Sequence, residues 1–272
     1  MIRTIIKPKE GWVNINIKEL WNYKDLLYFF TWRDIKVRYK QTALGVIWAI
    51  LQPLVAMIIF TVFFGRLAKM PSDGIPYPIF VYVGLLLWNF FSMALANASQ
   101  SLVSHENMIK KIYFPRLFLP TSSILAAFVD FILATFILIG LMIYYQYTPY
   151  LVGILIIPLL IIITFLSAAG TSFFLAAINV KYRDIRYAVP FFIQIMMFLT
   201  PVIYPSSLVG KYQWIMNLNP MSGVIEAARA AILGQGVINW QSLAISGGIS
   251  LILFVFGLFY FTRTEKYFAD LI

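Results

Sequence analysis

HENMIKKIYFPRLFLP, residues 105–120, sets a carboxylate, three cations and two prolines between two long apolar runs of a chain that is 61% hydrophobic. Charge is costly in hydrocarbon and proline stops a helix, so such a stretch belongs where a membrane chain leaves the bilayer. The runs beside it, residues 77–98 and 121–144, exceed the roughly 20 residues that cross a hydrocarbon core of about 30 Å. Composition agrees: mean hydropathy is +0.83, with 12% charged and 17% aromatic residues, too little polar surface to cover a fold in water. These features predict an all-α integral membrane protein with several crossings.

Six apolar windows can be drawn: Leu44–Phe64, Tyr77–Ala98, Thr121–Tyr144, Leu151–Ile178, Ala188–Tyr204 and Leu243–Thr262. The fourth is long and contains Pro158, which predicts a kink or break. The fifth is short, and Pro201 and Pro205 in TPVIYP predict a helix that stops early. Residues 1–20 lack the apolar core of a cleavable signal, so the amino terminus reads as mature and cytoplasmic.

Lysine and arginine set the orientation, because they are retained on the cytoplasmic side. They cluster before the first window, in the 99–120 loop (Lys110, Lys111, Arg116), in the 180–187 loop (Lys181, Arg183, Arg186) and in the tail (Arg263, Lys266). Only Arg66, Lys69, Lys211 and Arg229 fall on the other side. Both termini are therefore expected inside, a parity that six spans satisfy. The net charge of +10 is mostly this topological signal, next to membrane lipid, and implies no nucleic-acid partner. No repeat or low-complexity segment divides the chain. It reads as one domain over 1–272: a cytoplasmic segment 1–43, a six-span region 44–262 and a tail 263–272.

Smaller features fit this map. Tyr144, Tyr145, Tyr147 and Tyr150 bracket a tight outer turn, where amphipathic rings favour the interface. Asn219, Pro220 and Gly234 read as the N-cap, first-turn proline and terminator of a helix too short to span, placed outside as a re-entrant element. In 22–40, Tyr23, Leu26, Leu27, Phe30 and Val37 fall roughly on one face, which predicts an amphipathic helix at the inner membrane surface. Ser104 is placed to cap a short helix through Glu106, Asn107, Met108, Ile109, Lys110 and Lys111, ending near Tyr113 and Pro115.

Catalytic chemistry is sparse. Asp130 is the only acid inside a window, with no cation inside the windows to pair with it, which disfavours an ion-coupled carrier. The single histidine, His105, reads as solvated, and with no cysteine it cannot complete a metal cluster or triad. No phosphate-binding GxxxxGK[ST] loop is present. Glu226 beside Arg229 reads as a local ion pair. Energy for active transport would have to arrive from a separate subunit, and the short helix 106–111 is suited to a groove on such a partner.

The runs RDIKVRYKQTALGVIWAILQPL (33–54), NMIKKIYFPRLFLP (107–120), INVKYRDIRYAVPFFIQIMMFLTPVIYP (178–205) and LNPMSGVIEAARAAILG (218–234) resemble the permease subunit of the ATP-binding-cassette exporters of bacterial cell-surface polysaccharides, which carry lipid-linked O-antigen and include teichoic acid and capsule relatives. The resemblance covers most of the chain in order. It implies a homodimer of six-span subunits in the bacterial inner membrane, two ATPase subunits that bind ATP and Mg, no cofactor in this chain, and a polyprenyl-linked polysaccharide as cargo. It also implies an interface helix at about 22–40, a coupling helix at about 103–114 that docks the ATPase through Glu106, Asn107, Met108, Ile109, Lys110, Lys111 and Tyr113, and re-entrant helices in 205–240.

A sugar polymer asks for neutral hydrogen-bonding groups and aromatic faces. Gln41, Gly45, Trp48 and Gln52 recur on one helical face, and Trp88, Asn89, Ser92, Ser99, Gln194, Thr200 and Tyr204 supply the same chemistry elsewhere. Channel lining is expected of them, with interhelical hydrogen bonding as the alternative. Six helices of about 10 Å diameter leave little room for a glycan at their centre, so a seam between two copies is expected. Arg33, Lys36, Arg38 and Lys40 suit a carrier pyrophosphate. A permease for a drug or small lipid, a membrane enzyme acting on polyprenyl-linked sugars, and a passive scaffold are the competing readings.

Overall fold

A computed structural model describes residues 17–40, 45–149, 151–234 and 238–268, and among them every regular element is a helix. In order these are α1 (Ile17–Asn22), α2 (Lys24–Lys40), α3 (Ile47–Phe60, continued by a π-helical turn Thr61–Leu67), α4 (Tyr77–Ser104) and α5 (Glu106–Lys111). Then come α6 (Phe118–Tyr144), α7 (Leu151–Lys181), α8 (Ile185–Leu199), α9 (Gln213–Asn217), α10 (Pro220–Leu233) and α11 (Trp240–Thr264). Five stretches are long and apolar enough to cross a membrane: Ile47–Leu67, Tyr77–Ser104, Phe118–Tyr144, Gly153–Lys181 and Trp240–Tyr267.

Local chemistry explains the boundaries. Pro78 and Pro120 lie in the first turns of α4 and α6, where the amide that proline lacks would have no helical partner. Pro158 does not break α7, which runs unbroken for 31 residues; a spanning helix tolerates proline where its neighbours satisfy the freed carbonyl. Helix α8 holds only 15 residues, because Thr200 precedes Pro201 and is driven into extended backbone (φ −98°, ψ 139°). Asn219 caps α10 by accepting from the Met221 amide at 3.0 Å, and Gly234 closes it in the left-handed region at φ 65°.

Helix α4 is the hub, packed against α3, α6, α7, α8 and α10, and α7 lies along α11. Apolar surface gains little from leaving lipid for protein, so such seams depend on small residues and close backbones. Gly170 of α7 and Gly257 of α11 face one another so closely that a Cβ on either would overlap the opposing backbone. Gly223 of α10 meets the Ser242 carbonyl of α11 in the same way.

The bundle has two ends. The loop end holds the 105–117 connection, with the Asn179 side chain near the close of α7 donating to the Ser99 carbonyl of α4 at 2.9 Å. The turn end holds the 145–149 turn and the segment 200–205. There Arg229 of α10 donates to the carbonyls of Val202 (2.7 Å) and Phe80 (3.2 Å), and Tyr77 donates to that of Ile203 (2.8 Å). The chain thus runs from the loop end at Lys181 to the turn end at Val202 through a helix shorter than the other five.

Candidate functional site

At the loop end, the interrupting stretch is built as a platform. Ile109 is buried and Met108 packs on the core, while Asn107, Lys110 and Lys111 are exposed and Glu106 is half-buried. One face of α5 is therefore seated and the other free. Pro115 is buried just beyond it, and the chain between is held from both sides. Tyr113 donates to the Glu19 carboxylate at 2.7 Å, and the Phe114 ring meets Phe30 of α2 edge-on at 5.5 Å. The Arg116 amide donates to the Glu265 carboxylate at 3.3 Å, and its guanidinium donates to the Glu265 carbonyl. Partial burial, then the bond to Glu19, pushes the Tyr113 hydroxyl up to about 12.

Two details differ from expectation. Ser104 caps nothing: it is the last residue of α4, and α5 follows after His105 with no side-chain cap. His105 is not free in solvent but half-buried, its Nδ1 donating to the Ser101 carbonyl at 2.8 Å. The carbonyl can only accept, so the proton sits on Nδ1.

Asp130 has the partner that the apolar windows lacked. Arg38 forms an ion pair with one of its oxygens and Tyr39 donates to the other, so the end of α2 is fastened to α6. Burial, reinforced by the bond to Asp130, raises the Tyr39 hydroxyl above its ordinary value. Asp34 adds a second tie by accepting from Ser122 at 2.9 Å. A lone acid in an apolar span was the available signal, and its cation lay in RYK, just outside the window. Helix α2 is not amphipathic in the expected way. Tyr23, Leu26, Leu27 and Phe30 pack inward, but Val37 is 66% exposed on a side shared with Phe29 and Trp32.

The proposed phosphate-binding residues divide accordingly. Arg33, Lys36 and Lys40 border a groove of about 520 Å³ with Phe29, Trp32 and Val37, whereas Arg38 is committed to Asp130. Arg33 itself pairs with Asp34 at 2.8 Å.

The channel candidates also divide. Trp48 and Gln52 of α3 and Gln194 of α8 are exposed. Gln52, Asn89 and Ser92 meet Asp130 around a cavity of about 90 Å³ between α3, α4 and α6. Tyr204 is half-buried and donates to the Phe198 carbonyl at 2.8 Å. Trp88, Ser99 and Thr200 are interior and face no surface of the single chain. Trp88 packs on Phe91, and Thr200 accepts from Asn219 at 2.7 Å. Gly45 sits in a turn ahead of α3 at φ 50°, so it does not share a helical face with Trp48 and Gln52. Gln41 lies outside the described residues. Arg229 bonds carbonyls and stacks on Phe80 at 3.6 Å, so a local ion pair with Glu226 is not its principal tie.

A trough follows from these placements. Helices α3 and α8 both pack on α4, and each shows a broad uncovered apolar face, with Val55, Ile58 and Phe63 on one and Phe191, Ile195 and Phe198 on the other. From the middle of α4 to its loop end the residues left partly or fully open are Asn89, Ser92, Met93, Ala96, Asn97, Gln100, Val103 and Ser104, a stripe at helical spacing. Its turn-end half is closed over by α10 and 200–205.

Comparison with known proteins gives consistent relatives. Residues 25–233 match the family described as ABC-2 type transporter. The chain is 30% identical over 249 residues to an O-antigen export system permease protein RfbA of Klebsiella pneumoniae, covering 91% of this chain and 95% of that protein. It is 28% identical over 242 residues to the RfbA permease of Myxococcus xanthus, covering 87% and 91%. It is 25% identical over 243 residues to the polysialic acid transport protein KpsM of Escherichia coli, covering 86% and 91%.

Proposed function

From the premise that this chain belongs to the ABC-2 type transporter family, whose members are transport permeases served by separate ATPase subunits, we propose that it passes a lipid-linked polysaccharide of O-antigen type outward across the bacterial cytoplasmic membrane. The observation that carries this reading is the trough. Its flanks on α3 and α8 are apolar and aromatic, while its floor carries Asn89, Ser92, Asn97 and Gln100, neutral groups able to exchange hydrogen bonds with sugar hydroxyls. Half of a conduit is what one subunit of a symmetric pair would offer, and a second copy closes it. Trp48, Gln52, Gln194 and Tyr204 line it, and Trp88, Ser99 and Thr200 support its wall from behind.

The chain acts as one domain over 1–272 with six crossings, both termini cytoplasmic. The sixth crossing is α8 with the extended segment 200–205, which together carry the chain between the two ends of the bundle. Helix α2 is the interface helix, its outward Phe29, Trp32 and Val37 in lipid, and Arg33, Lys36 and Lys40 receive the carrier phosphate as it enters. Helix α10 is the outer re-entrant helix closing the exit.

ATP binding and hydrolysis occur on the partner subunits. This chain receives the motion at α5, where Asn107, Lys110 and Lys111 face the partner and Glu106, Met108, Ile109 and Tyr113 seat the helix. Because 113–116 is tied to Glu19, Phe30 and Glu265, a push on α5 moves α2 and the end of α11 together. Gentle purification from native membranes tests the assignment. A stoichiometric Walker-motif ATPase with ATP-dependent movement of lipid-linked glycan in inverted vesicles is expected. A folded chain that purifies alone and moves no glycan contradicts it.

A further inference from the structure

A second apolar space lies away from the trough. A cavity of about 650 Å³ opens at the turn end between α6 and α7, floored by Val83, Leu86 and Leu87 of α4 and bounded by Ala228 and Ile232 of α10. No residue of α3 or α8 lines it. Its walls are hydrocarbon, including Leu138, Ile157, Leu160 and Ile161, and its polar residues gather at one end, where Gln146, Tyr147 and Thr148 form the turn. Thr135 is the exception on the wall, and its hydroxyl is already given to the Phe131 carbonyl at 2.8 Å.

Neither water nor vacuum suits such a space. Water would find too few partners along apolar walls, and an empty void forfeits the contacts of every side chain around it. A glycan would leave its hydroxyls unpaired. The rim is open on the outside of the bundle: Ile139 and Ile143, which line it, are 48% and 75% exposed, and among the described residues no charged side chain lines the cavity.

We propose that this cavity binds an acyl chain of an outer-leaflet membrane phospholipid, its headgroup resting beside Gln146, Tyr147 and Thr148. Hydrocarbon fills the walls, the polar end coincides with the interface, and the chain braces α10 from beneath through Ala228 and Ile232. The inference needs only the membrane setting and orientation, and stands whatever the cargo.

The test uses the full complex in vesicles of phosphatidylethanolamine and phosphatidylglycerol that contain a phosphatidylglycerol with a diazirine midway along one acyl chain. Labelled peptides are mapped by mass spectrometry after illumination. Labelling of 135–143 and 157–161 is expected to exceed that of the exposed α11 residues Leu251, Ile252 and Val255 by about tenfold. In Leu138→Trp and Ile161→Trp, which fill the cavity from opposite walls, that excess disappears while a folded size-exclusion profile is kept. Even labelling of cavity and α11, or an excess that survives in a folded filled variant, overturns the site. Competition by polyprenyl phosphate but not by unlabelled phosphatidylglycerol overturns the assigned occupant. Should both filled variants fail to fold, the labelling ratio in the unaltered protein decides.

Discussion

Helices α3 and α4 are both apolar enough to cross a membrane, yet 11% of the apolar window in Ile47–Leu67 is buried within the chain against 78% in Tyr77–Ser104. Hydropathy states that each will enter the bilayer. It does not state which will be covered by protein. That depends on how closely neighbours approach and on what ties them, and here the ties gather on α4: Arg229 and Val202 at its turn end, Asn179 at its loop end. Helix α3 keeps its apolar face free, as a surface intended for lipid, a second copy or cargo must.

The contrast can be broken first at the packed seams. Gly170→Leu or Gly257→Leu forces a side chain into opposing backbone, and a loss above about 4 kcal/mol is expected. Neither variant should accumulate in membranes, as read by immunoblot and fluorescence-detected size exclusion. Gly140 on α6, where a Cβ meets nothing within 4 Å, should accept Leu without loss of yield.

Single-residue truncation gives the next measure. Leu95→Ala at 0% exposure on α4 should cost about 2 kcal/mol, below the range for water-soluble cores because little transfer free energy is lost in lipid. Ile59→Ala at 46% exposure on α3 should cost under about 1 kcal/mol. Thermal midpoints in one detergent compare them, and equal shifts would erase the distinction between the helices.

Asp130 tests the fastening of α2. Asp130→Asn leaves Arg38 without its counter-charge, and a loss of about 2 kcal/mol follows, reduced from that of a fully buried pair because Arg38 is 27% exposed. Arg38→Met with Asp130→Leu removes both charges and should recover most of the thermal midpoint. No recovery would show that the pair does not act as a unit. A smaller effect than at Asp130 is expected at the platform: Tyr113→Phe removes one hydrogen bond to Glu19, about 1 kcal/mol, read as earlier proteolysis of the 105–117 loop.

Much of the architecture was legible because membrane constraints are severe. The prolines and cations of 105–120 marked a loop, Asn219 and Gly234 marked the ends of α10, and the apolar windows marked the ends of the five long helices to within six residues. Contacts between distant elements were not legible. Nothing in local pattern places Arg38 against Asp130, Phe30 against Phe114 or Arg229 over Phe80, since each pair joins segments far apart in sequence. Trp88 and Thr200 were read as lining because their chemistry suits a glycan, and burial by α4's neighbours withdrew them from the surface. A polar residue in a span serves equally as lining or as support, and only the neighbouring helices decide which.

In the proposed conduit the uncovered faces of α3 and α8 meet a second copy. With no native cysteine in the chain, paired substitutions are clean: one on α3 among Val55, Ile58, Val62 and Phe63, one on α8 among Phe191, Ile195 and Phe198, cross-linked in native membranes. A covalent dimer from α3–α8 pairs, with none from matched cysteines at Ile252 on α11, is the expected result. Dimers through α11 alone, or no dimer from any folded α3–α8 pair, would contradict the conduit.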